Sequence, residues 1–123
     1  MFSKLLFING IFTALGGIIL VFIPNKLMKL FGIQLPLTDF FIYYLLGVTS
    51  LSFSVLSFLS LKLKDKASLQ VIALTFLIFN AAEAFVGLYE FTSGFSPFVL
   101  GNVAIHVIFS VLFWYLGFYR IIA

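Results

Sequence analysis

The chain has 123 residues, of which 63% are hydrophobic and 9% charged, with a formal net charge of +3 and no cysteine. A soluble domain is about half apolar and about a quarter charged, so this chain has too few polar residues to cover its apolar ones in water. Without cysteine, disulfides, thiol nucleophiles, iron–sulfur clusters and covalently attached haem are excluded, and the seven scattered basic residues suit anionic lipid headgroups better than nucleic acid.

A helix that crosses a bilayer needs about twenty mostly apolar residues, because roughly 30 Å of hydrocarbon is traversed at 1.5 Å per residue. The first such block covers residues 5–23. Lys4 before it and Ala14-Leu15-Gly16-Gly17 within it imitate a secretory signal, but the apolar run is too long for a signal core and the expectation is a retained span. Pro24-Asn25 ends it. A short interfacial helix is predicted over 25–32, capped by Asn25, with Leu27, Leu30 and Phe31 on one face, Lys26 and Lys29 on another, and Gly32 as its stop.

Pro36 and Thr38-Asp39 precede the second span, predicted at 40–61, and Lys62–Lys66 separates it from the third, at 68–89. Thr92-Ser93-Gly94 and Ser96-Pro97 open the fourth, at 97–119. The expected fold is all-α, a single domain forming a membrane-embedded antiparallel four-helix bundle. A barrel would alternate apolar and polar residues, and these blocks do not.

Four spans bring both termini and the middle loop to one side. That side carries Lys4, Lys62, Lys64, Lys66 and Arg120, and the other only Lys26 and Lys29, so both termini are expected in the cytoplasm of an inner (plasma) membrane. Tyr43, Tyr44 and Tyr89 fall near the outer interface and Trp114, Tyr115 and Tyr119 near the inner one, as amphipathic rings prefer. Between helices, lipid supplies little hydrophobic drive and small residues permit close approach. Gly10, Ala14 and Gly17 on the first span, and Gly47, Ser50, Ser54 and Ser57 on the second, form candidate contact stripes.

Glu83 is the sharpest functional candidate. It lies roughly 12 Å inside the third span at helical rise, where a charged carboxylate facing lipid would cost several kcal/mol. Asn80, Glu83, Gly87 and Glu90 recur at three and four residues on one stripe, as do Asn102, His106 and Ser110 on the fourth span. Antiparallel pairing sets Asn102 and His106 level with Asn80 and Glu83. Thr13, Thr49 and Ser50 fall at comparable depth, so one polar layer in the outer half of the bundle is expected.

Two readings of that layer stand together. In one, its members make hydrogen bonds that fix helix register. In the other, they form a ligand or proton site with Glu83 and His106 as a titrating pair, Asn80 and Asn102 beside them, and Glu90, Thr13 and Tyr43 as secondary members. One histidine and no cysteine cannot hold a metal alone. No phosphate loop, metalloprotease motif, nucleophile elbow or opposed acid–base pair accompanies them, so neither a cofactor nor an enzyme is expected. A binding or accessory protein for a small amphipathic molecule or lipid is the expectation. The alternative is a proton-coupled transporter or channel, which four helices would build only as a homodimer or larger assembly.

Gly16-Gly17, Pro24, Leu27, Leu30 and Phe31-Gly32-Ile33, together with the Asn102-x3-His106 pair, resemble the pattern of small bacterial four-span membrane proteins loosely grouped as DoxX-like. That resemblance implies the fold and assigns no activity. Small multidrug exporters centre on a glutamate in the first span, where this chain has Asn9 and Thr13.

Overall fold

The computed structural model describes residues 1–32, 41–94 and 96–120. The helix breakers Pro36, Thr38 and Asp39 lie outside the described residues. Four helices are long and apolar enough to cross a membrane: α1 (Phe2–Phe22), α3 (Phe41–Ser60), α4 (Lys66–Thr92), and α5 (Phe98–Trp114) with the turn that continues it to Arg120. The short α2 (Pro24–Leu30) follows α1. No strand occurs among the described residues, and the chain is an all-α, multi-pass membrane protein.

Local chemistry sets the helix ends. Pro24 occupies the first turn of α2, where its missing N–H costs nothing because that donor has no intrahelical acceptor. Asn25 therefore does not cap this helix; Ile23 is the capping residue, without a side-chain bond. Gly32, at φ +79, ends the segment in a left-handed conformation that glycine adopts without strain. Asp65 caps α4, its carboxylate accepting from the Ser68 N–H at 2.8 Å. That bond holds its carboxyl below the usual range. At the far end of α5, residues Tyr115–Arg120 widen into a π-helical turn, which keeps the adjacent Leu116 and Gly117 both on the buried side, against Ala73 of α4 at Gly117. The sequence reading had one uninterrupted helix there.

The helices pair as two hairpins, α1 with α3 and α4 with α5. The first is zipped by small residues. A Cβ on Gly17 would stand 2.8 Å from the Gly47 carbonyl oxygen and 2.7 Å from Leu51, and one on Gly47 would stand 2.8 Å from Val21. Ser54 donates to the Gly10 carbonyl at 2.8 Å, and Asn9 donates through Nδ2 to Ser57 Oγ at 2.9 Å. Ala14, expected in this stripe, is only half-buried. In the second hairpin Gly87 does the same work, facing Val103.

The two hairpins meet over one half of their length. Leu5 and Leu6 of α1 pack there with Phe76, Phe109, Phe113 and Leu116, and Phe53 and Leu56 of α3 lean on the same cluster. Phe76 and Phe113 stack at 5.0 Å and Phe2 meets Phe113 edge-on at 6.1 Å. At that end the termini converge, with the Arg120 guanidinium 2.7 Å from the Met1 sulfur. At the opposite end α2 closes the gap. Pro24, Leu27, Met28 and Phe31 share one face because they recur at three and four residues; Met28 is buried against Leu20. Leu30, expected on that face, is exposed instead, since it lies well off the same stripe. Phe31 also reaches the Ala84–Val99–Val103 cluster of the second hairpin, and its carbonyl accepts from Ser96 N–H at 2.9 Å.

Apolar side chains cover the outside. Phe85 is 74% and Ile78 60% exposed, while Asn9, Asn80 and Ser57 are at most 1% exposed. This arrangement is the one expected of a chain solvated by hydrocarbon. Because the Gly47 carbonyl and the branched Cγ of Leu51 both face Gly17, Gly17→Val is expected to lower stability by about 1–3 kcal/mol. Gly16→Ala, whose Cβ meets nothing within 4 Å, is expected to leave it nearly unchanged. Reversible unfolding in mixed micelles measures both.

Candidate functional site

The hairpins that meet at one end diverge toward the other, and a cavity of about 490 Å³ occupies the wedge between them. Its walls come from all four long helices and α2: Phe12, Thr13 and Gly16 from α1, Leu27 and Met28 from α2, Tyr43 and Ser50 from α3, Phe79, Glu83 and Glu90 from α4, and Asn102 and His106 from α5. Phe31 helps to roof it. The volume lies within the range of small-molecule sites, about 300–1,000 Å³.

Six of the seven residues singled out from the sequence border this cavity: Glu83, His106, Asn102, Glu90, Thr13 and Tyr43. The seventh, Asn80, stands behind it as the support of His106. Asn80 donates through Nδ2 to the Phe76 carbonyl at 2.8 Å, one turn back on its own helix. That leaves its Oδ1 as the acceptor for His106 Nδ1, 2.9 Å away. The proton of a neutral His106 is thereby assigned to Nδ1, and Nε2 keeps its lone pair. Phe12 and Phe79 present their rings edge-on to the imidazole, at 5.8 and 6.3 Å, and fix its plane. His106 is 7% exposed.

No hydrogen bond or ion pair joins Glu83 to His106 among the described residues. Glu83 and Glu90 are both half-buried and two turns apart on the cavity side of α4. Neither has a hydrogen-bond or ion-pair partner among the described residues. At helical rise, α4 is about 40 Å long, which exceeds the hydrocarbon thickness; Glu90 therefore sits near the headgroup end and Glu83 roughly 10 Å further in. Tyr43 lies within electrostatic reach of Glu90.

Hydroxyls on the walls differ in how far they are used. Thr13 donates to the Asn9 carbonyl at 2.8 Å, within its own helix. Ser50 is 9% exposed and, although every other serine of its stripe finds a partner, its hydroxyl makes no hydrogen bond among the described residues. Thr49, expected in the same layer, faces outward and returns its hydroxyl to the Leu45 carbonyl at 2.9 Å. Successive helical residues point about 100° apart, so only one of Thr49 and Ser50 can face the wedge.

Asn9 carried no weight in the sequence reading, yet it is fully buried. Its Oδ1 and the Ser110 hydroxyl are buried without a partner among the described residues. Asn9 precedes Thr13 by one turn and Ser110 follows His106 by one turn, so both lie just beneath the cavity floor. The clue to Asn9 was available: an amide in an apolar span, opposite a serine stripe, has nowhere else to bond. No group of three metal-ligating side chains occurs among the described residues. Comparison with protein-family models, curated proteins and solved structures found no match.

Removing one partner of a buried hydrogen bond leaves the other unsatisfied. Asn80→Leu and His106→Phe, singly and together, are expected to give a coupling energy of about 0.5–1.5 kcal/mol in a double-mutant cycle of unfolding. Additive effects would mean that the two side chains do not bond.

Proposed function

We propose that this protein is a membrane-embedded binding protein whose outer-half cavity receives a small amphipathic molecule. The observation that carries this reading is the wedge itself: about 490 Å³ bounded by apolar walls, with Glu83, Glu90, Asn102, His106 and Ser50 converging on it. A site of this kind binds by apolar burial and orients its ligand through a few polar groups. The register-fixing role belongs to other residues, Asn9 with Ser57 and Asn80 with His106, so the carboxylates are not needed for it.

The same reading makes the protein a resident of the inner membrane, with both termini cytoplasmic and the cavity in the outer leaflet. Five basic residues at the end where the termini converge, against two at the α2 end, support this orientation. The ligand then enters from the outer leaflet or from the water above it.

Photolabelling in membranes tests it. An alkyl diazirine of short chain length is expected to mark Glu83 and its cavity neighbours saturably, and Gly16→Phe, which fills the wedge from a position with open space beside it, is expected to abolish that labelling. Marks confined to outward residues such as Ile78 and Phe85, unchanged by Gly16→Phe, would overturn the proposal.

A further inference from the structure

Given a binding cavity, its chemistry narrows what fits. We infer that the ligand is an amphipathic cation, an ammonium carried on an apolar or aromatic body, with the charged group held between Glu83 and Glu90. The inference rests on the reading of the wedge as a binding site and adds the substrate class.

Charge comes first. Among the described residues, two carboxylates border the cavity and no lysine or arginine does. The nearest candidates in sequence, Lys26 and Lys29, are exposed on α2 and turned away from it. A carboxylate at the depth of Glu83 is costly to hold in hydrocarbon without a counter-charge, and among the described residues the chain supplies none. An anionic ligand would add a third like charge; a neutral one would leave both carboxylates as they are. Of these three kinds of ligand, the cation is the one that supplies the counter-charge.

The remaining polar atoms agree. An ammonium donates hydrogen bonds and accepts none. His106 is held by Asn80 so that Nε2 offers a lone pair, and Ser50, a residue 9% exposed, lines the cavity with a hydroxyl that has no partner among the described residues. Both are acceptors in wait of a donor, on helices other than the one that carries the glutamates. Aromatic rings of Phe31 and Tyr43 border the same space, and ring faces favour cations over neutral isosteres. The rest of the wall is aliphatic and suits an apolar body.

The test compares phenylbutylamine with phenylbutanol, which share a body and differ in the head, and with phenylbutyrate as the anion. Saturable binding is measured by titration of the full chain in phosphatidylcholine nanodiscs, with empty nanodiscs subtracted for partitioning. The amine is expected to bind at least tenfold more tightly than the alcohol, and the anion more weakly than either. In the variant carrying both Glu83→Gln and Glu90→Gln, the preference for amine over alcohol is expected to disappear, with reversible unfolding in mixed micelles reporting an intact fold. Glu83→Asp, keeping the charge, is expected to retain the preference for amine. If the alcohol binds as tightly as the amine, or the double variant keeps the preference, and Gly16→Phe still abolishes binding, then cation recognition is wrong and the cavity reading survives. If none of the three probes binds saturably, the cavity reading falls and this inference with it.

Discussion

Within hydrocarbon a hydrogen-bonding group has no solvent to fall back on, and a polar side chain without a partner on the protein is penalised. That constraint organises this molecule. Asn9 reaches Ser57, Ser54 reaches the Gly10 carbonyl, and Asn80 holds His106, so each hairpin is joined by the polar groups that lipid would penalise. Hydroxyls that face outward, such as those of Thr49, Ser52 and Thr75, return to the carbonyl one turn back on their own helix. Each bond is worth less than a kcal/mol on average, yet their combined geometry fixes which helix faces which. Glycine at Gly17 and Gly47 then lets the backbones approach as closely as those bonds require.

The wedge follows from how bulk is distributed along the spans. In the half near the termini, facing positions carry Leu5, Leu6, Phe76, Phe109 and Phe113, and these fill the space between hairpins. Toward the other end the facing positions become Thr13, Gly16, Ser50, Gly87 and Asn102, which are too small to fill it. α2 spans the opening, with Met28 and Phe31 inserted from above. A roof built from a separate short helix, tied to the loop before α5 by one backbone bond, separates the cavity from the water layer without sealing it by a continuous core. Polar groups that the hairpin interfaces do not use, namely Glu83, Glu90, Ser50 and Nε2 of His106, are concentrated there.

Much of this was legible in the sequence, and the physical reasons differ by element. The four spans were readable because uninterrupted apolar runs of about twenty residues leave few alternatives. The polar stripes on α4 and α5 were readable because three- and four-residue spacing maps directly onto a helix face, and depth counting from the helix ends brought Asn80 level with His106. Errors arose where neighbouring residues compete for one face or one role. Thr49 and Ser50 cannot both point inward, Pro24 takes the first turn of α2 and displaces Asn25 as its cap, and Met28 occupies the face expected of Leu30. A small polar pocket in the outer half of the bundle was expected, but its wedge shape was not readable, because the choice of hairpin partners depends on side-chain volumes summed across facing helices, which no single stripe contains. The partner of His106 was left open between the two readings of the polar layer, since Asn80 and Glu83 share one stripe at similar depth; in the structure Asn80 Oδ1 stands 2.9 Å from its Nδ1.

The central claim is that α4 turns one stripe to its neighbours and the other to acyl chains. Spin labels introduced singly from Ile78 to Gly87 in liposomes, with collision rates to oxygen as the readout, test it most directly. Oxygen accessibility is expected to oscillate with a helical period, with maxima at Ile78 and Phe85 and minima at Asn80, Ala84 and Gly87. A flat profile, or a maximum at Asn80 or Glu83, would contradict the account.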